Sequence, residues 1–372
     1  MMMQSPELLD QQLQLYNKLL DIIAEELDIP VAELQDDDTE FSEIGIDPIV
    51  APFIVTRISK STALRLPENV FEIYRDVGHL KQHIITTLVS VPAKATVDRE
   101  TTLSVLIRGN RARATKNIFL LPDGSGSAMA YARTPEISPE YCIYAMNSPF
   151  LQQANKYTCS IQHLASIWTQ EIRKIQPRGP YILGGWSAGG YYAYEVMKIF
   201  HQNAEVVEKI ILIDSPSRTD FEALPLDVVL FLSSNNLMGN WGNIKTPQWL
   251  IGHFEATLRA VDNYKPAKVV PPTATPEVFI IWASDALLTE GTTAQIGLDL
   301  NIKVTRFLLQ RRIDYGPNGW DKLFPGANIA IARMPGNHFN IIHSPNASTA
   351  CPSINIRLTY HRSKLSGVYC VI

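Results

Sequence analysis

A serine stands at the centre of the segment Gly185-Trp186-Ser187-Ala188-Gly189, which follows the apolar run 181–184 and precedes a helical pattern over 191–200. The spacing G-x-S-x-G between a strand and a helix is typical of a nucleophile elbow. In that turn only small residues fit two positions before and after the serine, whose hydroxyl is held exposed. We therefore predict that Ser187 is a nucleophile. The alternative is an ordinary glycine-rich turn, because the pattern also occurs by chance.

Backbone donors near this serine would complete such a site. The N–H of Ala188 would lie at a helix N-terminus, where positive partial charge can stabilise an oxyanion. A second donor is expected in the loop 122–127, which follows the predicted strand 117–121. Glycines in this loop let backbone N–H groups approach a substrate oxygen, so Gly124 and Ser125 are the candidates. An ordinary tight turn is the alternative.

An activated serine needs a general base, and the chain offers eight histidines. His338 follows the final apolar strand, 328–333, in a loop that can bring an imidazole over the sheet edge, and His343 is the near rival. Five of the other six lie in the N-terminal segment or in helical patterns and are expected to be surface or packing residues: His79, His83, His163, His201 and His253. The sixth, His361, lies in an irregular tail.

Two acids compete for the role of orienting that base. Asp214 ends the strand 209–213, and Asp285 follows the strand 278–282. Ligands of open α/β sheets bind beyond the carboxyl ends of the strands, so both acids are expected on the side of the nucleophile. The pattern alone does not separate them. Whichever acid it is would hold the imidazole tautomer and stabilise the imidazolium.

Composition narrows the classes of function. The chain of 372 residues is long enough for two domains, and 46% hydrophobic with 19% charged residues suits a globular protein. A net charge of −4 gives no polybasic signal, which argues against nucleic acid or an anionic membrane as partner. No secretory signal or membrane-spanning apolar run is visible, so we expect a cytoplasmic protein. The cysteines show no metal-ligand spacing and are expected to be reduced thiols: Cys142, Cys159, Cys351 and Cys370.

The pattern of apolar residues divides the chain into regions. Residues 5–88 look all-helical, with apolar side chains recurring at helical spacing from Leu9 to Ile23. Residues 89–116 are predicted to be a linker with a possible leading strand. From 117 to 343 strands alternate with helices, the signature of a mostly parallel α/β sheet. Residues 344–372 have little helical period and are predicted to be an irregular tail.

These blocks together resemble the C-terminal acyl-carrier and thioesterase region of fungal non-reducing polyketide synthases. The thioesterase blocks occur in that family's order, at 121–128, 184–190, 213–216, 253–261 and 336–339. The resemblance implies an α/β-hydrolase fold with an apolar lid over about 221–264. Such a lid would cover a polyketide acyl chain and exclude water. For any single apolar side chain in the segment, helical spacing favours a packing role instead. The family's acid follows the strand after the nucleophile, which favours Asp214 over Asp285.

The N-terminal region resembles an acyl carrier protein with one departure. The block 41–49 matches the one in which the family has a serine directly after the aspartate, but here Pro48 follows Asp47. Proline has no hydroxyl to carry phosphopantetheine, so we interpret 5–88 as a pseudo-carrier that either docks to a synthase or is a relic. The tail is a second departure, because the family usually has a closing helix after the position of His338.

The resemblance predicts a serine thioesterase of secondary metabolism. It would release a polyketide acyl chain from the carrier domain of a separate polyketide synthase, by hydrolysis or Claisen-type cyclisation, without a metal or organic cofactor. Two alternatives stay open: a non-catalytic interaction protein, which Pro48 and the irregular tail favour, and a general α/β-hydrolase esterase. The implied catalytic triad is Ser187, Asp214 and His338. The implied oxyanion hole is formed by the backbone N–H groups of Ala188 and of Gly124 or Ser125.

Overall fold

The structure is a computed structural model, and the part of the chain that it describes is discontinuous. The predictions about Pro48 and about the tail 344–372 fall outside the described residues, as does the middle of the predicted lid. The described residues are 6–46, 50–62, 64, 66–67, 70–86, 102–135, 137–151, 153–235, 237–238, 248–269, 275–289 and 297–343.

The N-terminal region is helical, as its apolar spacing predicts. Its helices are α1 (Pro6–Leu27), α2 (Ala51–Ser61), α3 (Val70–Ile73) and α4 (Val77–Thr86). The apolar residues of α1 at 16, 19, 20 and 23 are buried against α2 and α4. The hydroxyl of Tyr16 donates to the carbonyl of Val77 at 3.1 Å, which satisfies a polar group inside this small core.

The rest of the described chain is built around a seven-stranded sheet with the strand order β1-β3-β2-β4-β5-β6-β7. Only β1 is antiparallel to its neighbour, and the other adjacent pairs are parallel. The α/β sheet that the alternating pattern predicts is therefore confirmed. The strands are β1 (Ser104–Arg108), β2 (Lys116–Leu121), β3 (Tyr141–Met146), β4 (Tyr181–Trp186), β5 (Val207–Ile213), β6 (Glu277–Ala283) and β7 (Ile329–Met334).

Both faces of the sheet are covered, which explains why its strands are apolar almost throughout. On β5, Ile210 and Leu212 enter the core on one face, and Ile211 and Ile213 enter the core on the other. The covering helices are α5 (Ile161–Ile175), α6 (Gly189–Gln202), α7 (Leu226–Ser234), α8 (Gln248–Asp262), α9 (Lys303–Leu309) and α10 (Trp320–Leu323).

Two elements bear on the predicted domain boundaries. Strand β1 lies inside the region 89–116, where the sequence predicts a linker with a possible leading strand, and it forms an edge of the sheet. Helices α7 and α8 lie between β5 and β6, within the segment that the resemblance assigns to a lid. Across the residues that can be described, no helix is both long and apolar enough to cross a membrane.

Candidate active site

Ser187 occupies a sharp turn between β4 and α6. Its φ of 56° lies in the left-handed region, which a residue other than glycine adopts at a cost. A Cβ on Gly185 would lie 2.2 Å from the backbone of Gly189, and one on Gly189 would lie 2.5 Å from the carbonyl oxygen of Leu121. No side chain fits at either position, so the two glycines of the motif are what allows this turn.

Three side chains from distant parts of the chain meet at this turn. His338, in the loop after β7, has its Nε2 at 3.1 Å from the Oγ of Ser187. Its Nδ1 lies 2.7 Å from Oδ2 of Asp214, which follows β5. The carbonyl of Ile213 accepts the N–H of Ser187 at 3.0 Å, which ties the elbow to the neighbouring strand end. These distances suit proton transfer from the serine to the imidazole.

Asp214 is fully buried and fully hydrogen-bonded. Besides the imidazole, it accepts the N–H of Ala283 at 2.8 Å and both terminal nitrogens of Arg312. Burial alone would raise the pKa of Asp214, but the charge and hydrogen bonds of Arg312, with the contribution of His338, hold that pKa well below its usual range. The carboxylate therefore stays ionised beside the histidine.

The alternative acid, Asp285, is placed differently. Its Oδ2 accepts the N–H of Gly336 at 2.7 Å, and its own N–H donates to the carbonyl of Gly336 at 3.0 Å. Its Oδ1 accepts the hydroxyl of Ser284 at 3.0 Å. Asp285 thus fastens the end of β6 to the loop that carries His338. The structure brings Asp214, and not Asp285, to the imidazole.

His343, the alternative base, lies away from the serine. The carbonyl of Ala130 is its backbone partner, and burial, with the nearby charge of Arg133, lowers the pKa of His343 to about 4. Its N–H donates to the carbonyl of Asn340 at 3.0 Å within the turn that follows His338. These contacts tie His343 to Ala130 and Asn340, and it is His338 that is hydrogen-bonded to the nucleophile.

Two of the three predicted oxyanion donors, Ala188 and Gly124, lie at the same cavity. Ala188 caps the N-terminus of α6, and both Ala188 and Gly124 line the cavity beside Ser187. The N–H of Ser125 donates to Oδ1 of Asp123 at 3.2 Å within its own turn. In contrast, no acceptor for the N–H of Gly124 occurs among the residues described. Gly124 is therefore the better placed of the two candidates in this loop.

The orientation of the Gly124 loop is fixed by two side chains that sequence reasoning did not assign to the site. On α8, Nδ1 of His253 donates to the carbonyl of Gly124 at 3.0 Å, and the hydroxyl of Thr257 donates to it at 3.3 Å. Burial lowers the pKa of His253 to about 4, so its imidazole is neutral. The sequence predicts that His253 is a surface or packing residue. The structure shows that it is buried and that it also contacts the Gly124 loop. The four-residue spacing of His253 and Thr257, which places them on one helix face, was the available signal.

The cavity above the triad has a volume of about 90 Å³. Its polar lining includes Glu222, whose Oε2 accepts the N–H of Lys303 at 3.1 Å at the start of α9. No group of three or more His, Cys, Asp or Glu side chains in the described ranges could hold a metal ion. The apolar walls come mainly from the lid segment and α9: Leu224, Val229, Leu232, Met238, Phe254, Leu258, Val261, Val304, Phe307 and Leu308.

Comparison with protein families identifies both regions of the chain. Residues 116–351 match the thioesterase domain family, and residues 17–84 match the family of phosphopantetheine attachment sites. The second match spans the position of Pro48, which lies outside the described residues.

The chain is similar to the C-terminal region of fungal non-reducing polyketide synthases, which confirms the resemblance. It is 33% identical over 355 residues to the synthase Preu8 of Preussia isomera, an alignment that covers 86% of this chain and 16% of the synthase. It is 41% identical over 256 residues to terA of Aspergillus terreus, covering 68% of this chain and 12% of that one. The chain thus spans a small part of the length of these relatives.

Among solved structures, a four-domain nonribosomal peptide synthetase, holo-AB3403 bound to AMP and glycine, is similar in fold. Its TM-score is 0.55 at 18% sequence identity, and the match covers 91% of this chain and 26% of that chain. At this identity the likeness extends to the fold alone.

Proposed function

The chain belongs to the thioesterase domain family, and we propose that it releases a polyketide acyl chain from a carrier-protein thioester through an acyl-serine intermediate. The observation that carries the proposal is the continuous hydrogen-bonded row from Ser187 through His338 to Asp214. The apolar walls of the cavity support an acyl substrate, because such walls exclude water from the reacting carbonyl.

In the acylation step, Oγ of Ser187 attacks the thioester carbonyl while its proton passes to Nε2 of His338. Asp214 holds the imidazole in the tautomer that accepts this proton and stabilises the imidazolium. The N–H groups of Ala188 and Gly124 stabilise the tetrahedral oxyanion, and each such donor contributes about 3–4 kcal/mol in comparable enzymes. The carbon–sulfur bond then breaks, and the carrier leaves as a thiolate that takes a proton from the imidazolium.

Release needs a second nucleophile, and His338 would be the base for it. Water would give a free acid, whereas a carbanion of the bound chain would give a new ring by Claisen-type cyclisation. The substrate would come from the carrier domain of a separate polyketide synthase, because Pro48 provides no hydroxyl for a prosthetic arm at the carrier-like position of this chain. The site needs no metal or organic cofactor for either route.

The test is product analysis with a polyketide synthase whose own release domain has been deleted and whose carrier is loaded with the chain. Adding this protein should give a free acid or a cyclised product, and Ser187→Ala should give neither. Folded wild-type protein that releases no product while its carrier partner stays loaded would contradict the proposal. Product that forms equally with Ser187→Ala would also contradict it.

A simple substrate pair separates this function from a general esterase. An aryl thioester of N-acetylcysteamine should be hydrolysed with a higher kcat/KM than p-nitrophenyl acetate, because only the former resembles an acyl group on a pantetheine arm. A marked preference for the small oxygen ester would contradict the polyketide assignment. If neither substrate reacts and no fluorophosphonate labels the folded protein, the chain would be a non-catalytic interaction protein.

A further inference from the structure

A buried arginine side chain contacts the carboxylate of Asp214. The side chain of Arg312, in the loop after α9, is 7% exposed, and Asp214 is fully buried. Its guanidinium lies 3.7 Å from the ring centroid of Phe307, its Nη1 donates to the carbonyl of Ala283 at 3.2 Å, and its Nε donates to the carbonyl of Phe307 at 3.2 Å. These contacts hold the guanidinium in one position with both terminal nitrogens on the carboxylate.

One carboxylate oxygen is shared by the arginine and the histidine. Oδ2 of Asp214 accepts Nη2 of Arg312 at 2.5 Å and also faces Nδ1 of His338 at 2.7 Å. The guanidinium is therefore a neighbour of the imidazole across a single oxygen atom. When His338 takes the proton of Ser187, a second cation forms beside a carboxylate whose charge Arg312 already balances.

The other charged groups near the imidazole are engaged elsewhere. Asp285 is hydrogen-bonded to Gly336 in the loop that carries His338. Of the acids that line the cavity, Glu222 accepts N–H groups at the start of α9, and Asp123 accepts from Ser125. On β7, the guanidinium of Arg333 lies 3.7 Å from the ring centroid of Tyr315. Among the described groups that contact the triad, Arg312 supplies the positive charge.

We infer that Arg312 is a positioning residue of the reaction, which fixes the carboxylate of Asp214 and, by its charge, disfavours the protonated form of His338. This inference rests on the proposed acyl-serine function. Its consequence is that activity at acidic pH depends on the positive charge at position 312. An opposite charge within about 4–6 Å typically shifts a pKa by about one to three units, and a like charge acts in the reverse direction.

Two substitutions separate the charge of Arg312 from its hydrogen bonds. Arg312→Gln keeps an amide donor for Asp214 but removes the positive charge. Arg312→Lys keeps the charge but loses the bidentate hydrogen bonding to the carboxylate. Arg333→Gln, at an exposed arginine, is the matched control. The measurement is the pH profile of kcat/KM for an aryl N-acetylcysteamine thioester, together with the rate of fluorophosphonate labelling over the same pH range.

The acidic limb of both profiles should move to higher pH by about one to three units in Arg312→Gln. The acidic limb should keep its wild-type position in Arg312→Lys, although kcat should be lower in that variant. It should also keep its position in Arg333→Gln. If circular dichroism shows that Arg312→Gln does not fold, Arg312→Met must show the same shift, since its unbranched side chain can keep the contact with Phe307. An unmoved limb in the neutral variants, or an equal shift in Arg312→Lys, would overturn the inference.

The two proposals fail in different ways. If wild-type protein is neither labelled by the probe nor active on the thioester, the acyl-serine function itself is wrong. If wild type is labelled and active but the limb does not depend on the charge at position 312, only the role of Arg312 is wrong.

Discussion

Replacing Asp214 by asparagine would test which acid serves the histidine. The carboxylate now accepts four donors, from His338, Ala283 and the two ends of Arg312. An amide has one acceptor oxygen, so its NH₂ group would face a donor in any orientation. Arg312 and the N–H of Ala283 can only donate, so the NH₂ group would face Nδ1 of the imidazole, which can accept. The imidazole would then carry its proton on Nε2, the nitrogen that faces Ser187, and could not accept the serine proton.

The magnitude follows from the two contacts that are lost. In serine enzymes the wrong imidazole tautomer lowers kcat by about 10⁴, which corresponds to about 5.5 kcal/mol at the transition state. Breaking a buried ion pair also leaves Arg312 uncompensated, at a cost of about 3–5 kcal/mol in the free energy of unfolding. Since domains are commonly stable by about 5–15 kcal/mol, Asp214→Asn should fold at 25 °C with a lower Tm.

Asp285→Asn is the matched control, because it changes an acid at the neighbouring strand end whose partners are Gly336 and Ser284. An asparagine there can still accept the N–H of Gly336, so kcat should stay within about tenfold of wild type. Thiol release from an aryl N-acetylcysteamine thioester measures kcat, and circular dichroism checks folding. A larger loss in Asp285→Asn than in Asp214→Asn would refute the assignment of the acid.

Three further predictions concern the lid contact, acid stability and the carrier-like region. Replacing His253 by phenylalanine should lower kcat by about ten- to a hundredfold with little change in KM, since the Gly124 donor would be displaced rather than removed; an unchanged kcat would contradict the role of α8. Burial lowers the pKa of His253 to about 4, below the value of about 6.5 in an unfolded chain. The native state then binds fewer protons, and His253 should contribute a loss of up to about 1.4 kcal/mol of unfolding free energy per pH unit between pH 6.5 and 4. His343, whose pKa burial also lowers to about 4, acts in the same direction. Burial raises the pKa of Asp123 to about 6, which changes stability in the opposite direction. Urea denaturation at pH 7 and 5 must therefore compare wild type with His253→Gln, which should lose less unfolding free energy between the two pH values. Treatment with a phosphopantetheinyl transferase and coenzyme A should add no mass, because Pro48 lacks a hydroxyl; a mass gain mapped to residues 5–88 would show that the pseudo-carrier interpretation is wrong.

Short-range constraints explain what could be predicted from the sequence. The turn at Ser187 requires glycines at fixed positions on either side, so its chemistry is visible in five consecutive residues. The alternation of apolar strands and helices likewise predicts a parallel α/β sheet, because both faces of such a sheet are covered. The five residues of β1 carry a weaker signal, and their antiparallel position at the sheet edge could not be deduced.

Contacts between distant segments explain what could not be predicted. Asp214 and Asp285 follow adjacent parallel strands, so both end at the same sheet edge, and only the family resemblance favoured one of them. Arg312 lies in no motif and meets Asp214 across 98 positions of the chain. The role of His253 depends on where the lid helix packs, and helical spacing alone does not show that Gly124 is its partner.

The most direct measurement is mass spectrometry of the protein after reaction with an aryl fluorophosphonate. A hydroxyl reacts with such a probe only when a base removes its proton and the fluoride can leave. Wild type should gain one adduct on the peptide that contains Ser187, and Ser187→Ala and His338→Ala should gain none at that peptide. An adduct on a different serine, or none on folded wild-type protein, would contradict the conclusion that Ser187 and His338 form an acyl-transfer site.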